Sequence, residues 1–186
     1  DYTVANGVVS EVWGLDYDGD GEQWVETRYP EPDRVHAGIL SDSYLWVRHY
    51  STPINAQRSR ANAFSRAMLC YDFLARDVDV SGNIDLTDPV VVRNAVKSEA
   101  CATCHQSLDP LANHFWSHEY FVLPTSDITE YPFSTWRPEY MTEHRPVYSD
   151  RGVGYFGLPA QTTRDLGRAV SADPRYGQCA ARRFYA

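Results

Sequence analysis

The stretch EACATCHQSLDPLANHFW, residues 99–116, carries the densest chemistry in the chain and decides how the rest is read. Cys101 and Cys104 stand three apart, with His105 directly behind the second. On a helix, residues three apart share a face, so two thiols at this spacing can meet one edge of a flat group. C-x-x-C-H is the attachment signature of a c-type haem: each thiol forms a thioether to a former vinyl group, and the histidine binds iron. A thioredoxin-like dithiol wants a βαβ context, and a structural zinc site wants a second Cys/His pair. The first is missing, and His114 with His118 is the only candidate for the second. Haem is therefore the leading reading.

Helical patterning surrounds the motif. TDPVVVRNAVKSEACATCHQ (87–106) opens with Asp88 as N-cap and Pro89 at the first helical position, predicting a helix that ends near the motif. LDPLANHFWSH (108–118) repeats the device, so Asp109 and Pro110 are expected to start another. HAGILSDSYLWVRHY (36–50) is a helix candidate. RSRANAFSRAMLCYDFLAR (58–76) is a stronger one, because Phe64, Ala67, Met68 and Tyr71 fall at i, i+3, i+4 and i+7. PAQTTRDLGRAVSA (159–172) puts Leu166, Ala169 and Val170 on one face, and another Asp-Pro start opens DPRYGQCAARRFYA (173–186). That last helix carries no Gly or Pro stop signal, so the chain is expected to continue past Ala186.

Two other regions lack a clean period. Residues 1–33 are rich in Asp, Gly, Pro and aromatics and are expected to form an irregular, weakly β acidic segment ahead of a helical unit at 34–186. Residues 119–157 read as a long irregular stretch of the kind that wraps a ligand. No internal repeat or low-complexity tract is present, and no apolar run approaches the ~20 residues that cross a bilayer. Of 186 residues, 17 are Lys or Arg and 25 are Asp or Glu, a net charge of −8. Nucleic-acid binding needs a basic footprint and is set aside. A basic or neutral protein partner suits this surface better. No nucleophile elbow, Walker loop, H-E-x-x-H or dinucleotide fingerprint is present.

Residues 34–73 (RVHAGILSDSYLWVRHYSTPINAQRSRANAFSRAMLCYDF), then EACATCHQSLDPLANHF, then LGRAVSADPRYGQCAARRFYA (166–186), in that order, resemble large secreted bacterial cytochrome-c-like proteins built from domains of unknown function. The resemblance spans roughly residues 34–186 and leaves the first 33 outside it. It implies a mainly α, cytochrome-c-like helical domain with one covalent haem, in the periplasm or outside the cell. It implies no defined reaction.

On this reading Cys101 and Cys104 tether the porphyrin and His105 is the proximal ligand. A backbone carbonyl near Pro110 is expected to hold the other nitrogen of the ring. Candidates for the sixth iron position are Met68, Met141, His36, His49, His114, His118 and His144. Met141 in STWRPEYMTEHRP leads, because it comes late in the long irregular stretch, where the chain can return from the far side of a haem, and because related family members resemble it there in a run of Trp, acidic residue and Met. Tyr140, inserted between Glu139 and Met141, leaves the register open. His114 is the alternative, and core packing is the plainer role for Met68. Met/His ligation suits electron transfer, whereas an open position suits peroxidase-like chemistry.

Two acidic loops partly match the calcium template. Asp16, Asp18, Asp20 and Gly21 fit in DYDGDGEQWVET (16–27), and Asp77, Asp79 and Asp85 in DVDVSGNIDLTD (77–88), but neither ends in the bidentate Glu. Solvated turns are the plainer reading of both. Cys70 and Cys179 form the remaining even pair. An oxidising setting makes a disulfide the favoured reading, against two small buried side chains. Single-electron transfer by a monohaem domain is the expected function. A haem peroxidase-like enzyme with an open distal site, or a calcium-stabilised assembly or binding module with structural haem, possible in a homo-oligomeric array, are the alternatives.

Overall fold

A computed structural model describes residues 2–30, 34–75, 84–119 and 134–185. The chain is mainly helical, with one small two-stranded sheet. Strands β1 (Thr3–Ala5) and β2 (Val25–Thr27) pair antiparallel, with Val4 opposite Glu26. The acidic segment holds one element the sequence pattern did not announce, helix α1 (Gly7–Trp13). Its signals are local: the Asn6 side chain accepts from the Val9 N–H at its start, and Gly14 in the left-handed region (φ 64°) closes it. Gly7 sits so close to Gly21 that a Cβ there would lie 2.9 Å from its backbone, and the Gly7 N–H donates to the Gly21 carbonyl.

The helical unit begins with a 3-10 turn at Gly38–Ser41 and the short α2 (Ser43–Arg48), split by Asp42, which caps the Tyr44 N–H. Helix α3 (Arg58–Leu69) places Ala61, Phe64 and Leu69 in the core, with Met68 partly buried against it. α4 (Pro89–Ala95) starts as expected at Asp88, whose carboxylate accepts from Val90 and Val91. A turn over residues 96–98 then separates it from α5 (Glu99–Ala112).

Helix α5 corrects two expectations. The C-x-x-C-H motif lies in its first half rather than at a helix end, and the helix runs straight through Pro110. Asp109 does not cap a new start, because its carboxylate is taken up by Arg58 and His105. Proline at position 110 removes only the N–H that would have met the Gln106 carbonyl, and Gln106 borders an open groove of about 480 Å³. The stretch expected to be irregular contains α6 (Tyr140–Glu143) and α7 (Arg145–Tyr148), which rests on α4.

Helix α8 (Thr163–Ala172) opens with a capping box between Thr162 and Asp165 and buries Leu166 and Val170. The expected Asp-Pro start holds for α9 (Pro174–Tyr185). α3 packs against both α5 and α9, and Cys70 and Cys179 are bridged by a disulfide that pins α9 onto the end of α3. The bond closes a loop between residues 109 apart, so converting both cysteines to serine is expected to cost about 2–4 kcal/mol. Urea unfolding of the double variant measures this directly.

At the centre Trp46, Phe64, Leu111, Phe115, Tyr155 and Leu166 interlock. Beside them lies Arg60, with no exposed surface at all. Its guanidinium donates to the carbonyls of Trp46, His49, His118 and Glu119 and to the Gln57 amide oxygen. Burial pulls it down to about 9, which still leaves it charged at neutral pH.

Candidate haem-attachment site

Cys101 and Cys104 lie one turn apart on α5, both partly accessible and both free thiols. Cys104 rests against the core cluster, while Leu108 and Leu111 farther along the helix are buried in it. The position of the motif in the helix follows from its packing: the apolar positions after the motif anchor α5, and the motif residues are left at its rim.

His105 is held from within the same helix. Its Nδ1 lies 2.8 Å from Asp109 Oδ1, four residues on. Asp109 is 3% exposed and receives two bonds from Arg58 at the start of α3, Nε to Oδ1 at 2.7 Å and Nη2 to Oδ2 at 3.2 Å. Arg151 Nε stands 3.9 Å from Oδ2. Burial pushes the Asp109 carboxyl up, but the hydrogen bonds from His105 and Arg58 and the Arg58 charge outweigh it and hold the group below the usual carboxylate range. The expected carbonyl near Pro110 is not the partner of His105, since the Pro110 oxygen accepts from the Gly154 N–H at 3.1 Å. Asp109 was hidden in the sequence by its place before proline, which reads as a cap.

The donor set fits a c-type haem. Occupying Nδ1 fixes the ring and leaves Nε2 for a metal, the arrangement in which a carboxylate orients a ligating histidine. Among the described residues, no three side chains of His, Cys, Asp or Glu stand close enough together to hold an ion. Zinc needs its ligands to converge on one point, whereas haem c takes its thiols and its histidine at separate atoms.

The sixth-ligand candidates lie elsewhere. Met141 and His114 line one cavity of about 150 Å³, together with Trp136, Ser117 and Thr162, and none of Cys101, Cys104 and His105 lines it. His118 is wholly buried, with Nδ1 3.2 Å from the Thr135 hydroxyl. His36 accepts from the Tyr29 N–H, His49 gives its carbonyl to Arg60, and His144 stacks on Tyr140.

His114 is buried, and the loss of water pulls it down to about 4 despite a hydrogen bond with the Gly154 backbone and the charge of Asp165. Because the folded protein holds it neutral, its stabilising contribution is full above its unfolded value of roughly 6.5 and is lost as pH falls toward about 4. Stability is expected to drop by about 3 kcal/mol across this window from His114 alone. Urea midpoints at pH 6.5 and 4.5 should show the fall, and His114→Gln should flatten it.

The first acidic loop is held by its own hydrogen bonds. Tyr17 bridges the loop, its hydroxyl donating to the Gln23 carbonyl and accepting from the Gly21 N–H, and Asp20 accepts from Glu22 and Gln23. Asp16, Asp18 and Asp20 therefore form no ion-holding group. In the second, Asp77 and Asp79 lie outside the described residues, and Asp85 is bonded to the hydroxyl and N–H of Thr87.

No protein-family model, no curated protein and no solved structure matches this chain. Among the described residues no helix is long and apolar enough to cross a membrane.

Proposed function

We propose that this chain is a monohaem c-type cytochrome domain that passes single electrons outside the cytoplasm. The observation that carries the reading is the C-x-x-C-H motif set on one helix, with the Nδ1 of His105 held by a buried carboxylate. Cys101 and Cys104 would tether the porphyrin, and His105 would bind iron through Nε2. Haem, when bound, supplies a one-electron ferric/ferrous couple. The protein's part is to fix the histidine and to set the potential and the exposure of the porphyrin edge.

The resemblance to large secreted bacterial cytochrome-c-like proteins supports this assignment, and the Cys70–Cys179 disulfide supports an oxidising, periplasmic or extracellular setting. Net charge of −8 favours a basic or neutral redox partner. Met141 is the proposed sixth ligand. In the oxidised protein a weak far-red sulfur-to-iron band should be present, vanish in Met141→Ala and persist in His114→Ala, whereas a wild type without the band, or a band that persists in Met141→Ala, would overturn Met141 as the ligand. Slow or absent binding of carbon monoxide and cyanide is expected of a carrier, while rapid binding by the wild type would instead indicate an open, peroxidase-like site.

A further inference from the structure

We infer that Asp109 is a positioning residue that makes His105 an electron-rich iron ligand and lowers the reduction potential, and that Arg58 limits how far it does so. The inference rests on the c-type haem reading. His105 Nδ1 could have met a neutral backbone carbonyl, but the Pro110 oxygen expected for that role accepts from the Gly154 N–H. It meets a carboxylate instead, at 2.8 Å, and that carboxylate is buried.

A hydrogen bond to an anion draws the Nδ1 proton outward and leaves more electron density on Nε2, raising the basicity of the ligand. A more basic ligand favours the more positive iron state. Arg58 competes for the same oxygen, its Nε lying 2.7 Å from Oδ1, and its charge offsets part of that of Asp109. Arg151 adds a weaker, more distant positive charge on the other oxygen. The two arginines and the carboxylate thus grade one effect, and removing Asp109 or Arg58 should move the potential in opposite directions.

The test uses the full chain with haem attached, as wild type, Asp109→Asn and Arg58→Gln, each with haem content checked by pyridine haemochrome. Mediated spectroelectrochemical titration should place D109N at least 59 mV above the wild type, a tenfold change in the one-electron equilibrium constant. R58Q should fall below the wild type. A merely structural clamp between α3 and α5 would give lost stability in both variants with no opposed shift in potential. Potentials for D109N within twofold of the wild-type constant, or shifts of the same sign in both variants, would overturn the inference while leaving the haem reading standing. If D109N does not retain haem, R58Q decides alone, since an unchanged or raised potential there would overturn it. A wild-type protein without covalent haem would overturn the function reading itself, and this inference with it.

Discussion

Replacing Cys101 and Cys104 together by serine is expected to abolish covalent haem attachment while leaving the fold in place. Both thiols sit at the rim of α5, and neither is in the disulfide. The helix is anchored by Leu108, Leu111 and Ala112, which the substitution does not touch. Serine keeps the size of each side chain and removes only the sulfur that forms the thioether. Far-UV circular dichroism should therefore match the wild type, while acid-acetone extraction removes all haem from the variant and none from the wild type. Each single variant should keep one thioether and a shifted haemochrome band. Full haem retention in the double variant would disconnect the motif from the cofactor.

The largest loss of stability from a single substitution is expected at Arg60. Its guanidinium satisfies four backbone carbonyls, from α2, its C-terminal His49 and residues 118–119, together with Gln57. Arg60→Met fills similar space but leaves these acceptors without donors in a site that water does not reach. Orphaned buried groups are costly, and the expected loss is about 3–5 kcal/mol, or roughly 10 °C in Tm. Arg60→Lys should recover part of it, because an ammonium supplies three donors where the guanidinium supplies five. Thermal and urea unfolding check the order wild type, R60K, R60M. A loss below about 1 kcal/mol in R60M would mean that the carbonyls find other partners.

Much of the helical order was legible because its signals are short-range. Asp88-Pro89 and Asp173-Pro174 start helices where the sequence places them. Phe64, Leu166 and Val170 face the core as their spacing requires. The same reasoning misplaced Asp109-Pro110. The dipeptide reads identically whether it caps a helix or lies within one, and what decides is Arg58, fifty-one residues away. Yet the i, i+4 spacing of His105 and Asp109 was itself readable as a pair on one helix face. Helix α1 was missed because its seven residues, GVVSEVW, are too few to show a period, and its evidence is the Asn6 and Gly14 caps. The turn at 96–98 was missed because an unbroken apolar and charged pattern runs across it. Arg60 gave no signal, since nothing local distinguishes an arginine that will be buried by carbonyls from one on a helix surface.

The Cys70–Cys179 bridge was legible by counting once the motif had claimed the other two cysteines. In residues 16–27 the spacing of the acidic side chains was legible, but not the part of the tyrosine among them, whose hydroxyl bridges the turn.

A single-electron carrier of this kind requires covalent haem on Cys101 and Cys104. Its most direct measurement is the pyridine haemochrome spectrum of the full chain, produced with a c-type maturation system and extracted with acid acetone beforehand. A c-type α-band that survives extraction, with one haem per chain, is expected. A protein that carries no haem, or whose haem is wholly extracted, would contradict it.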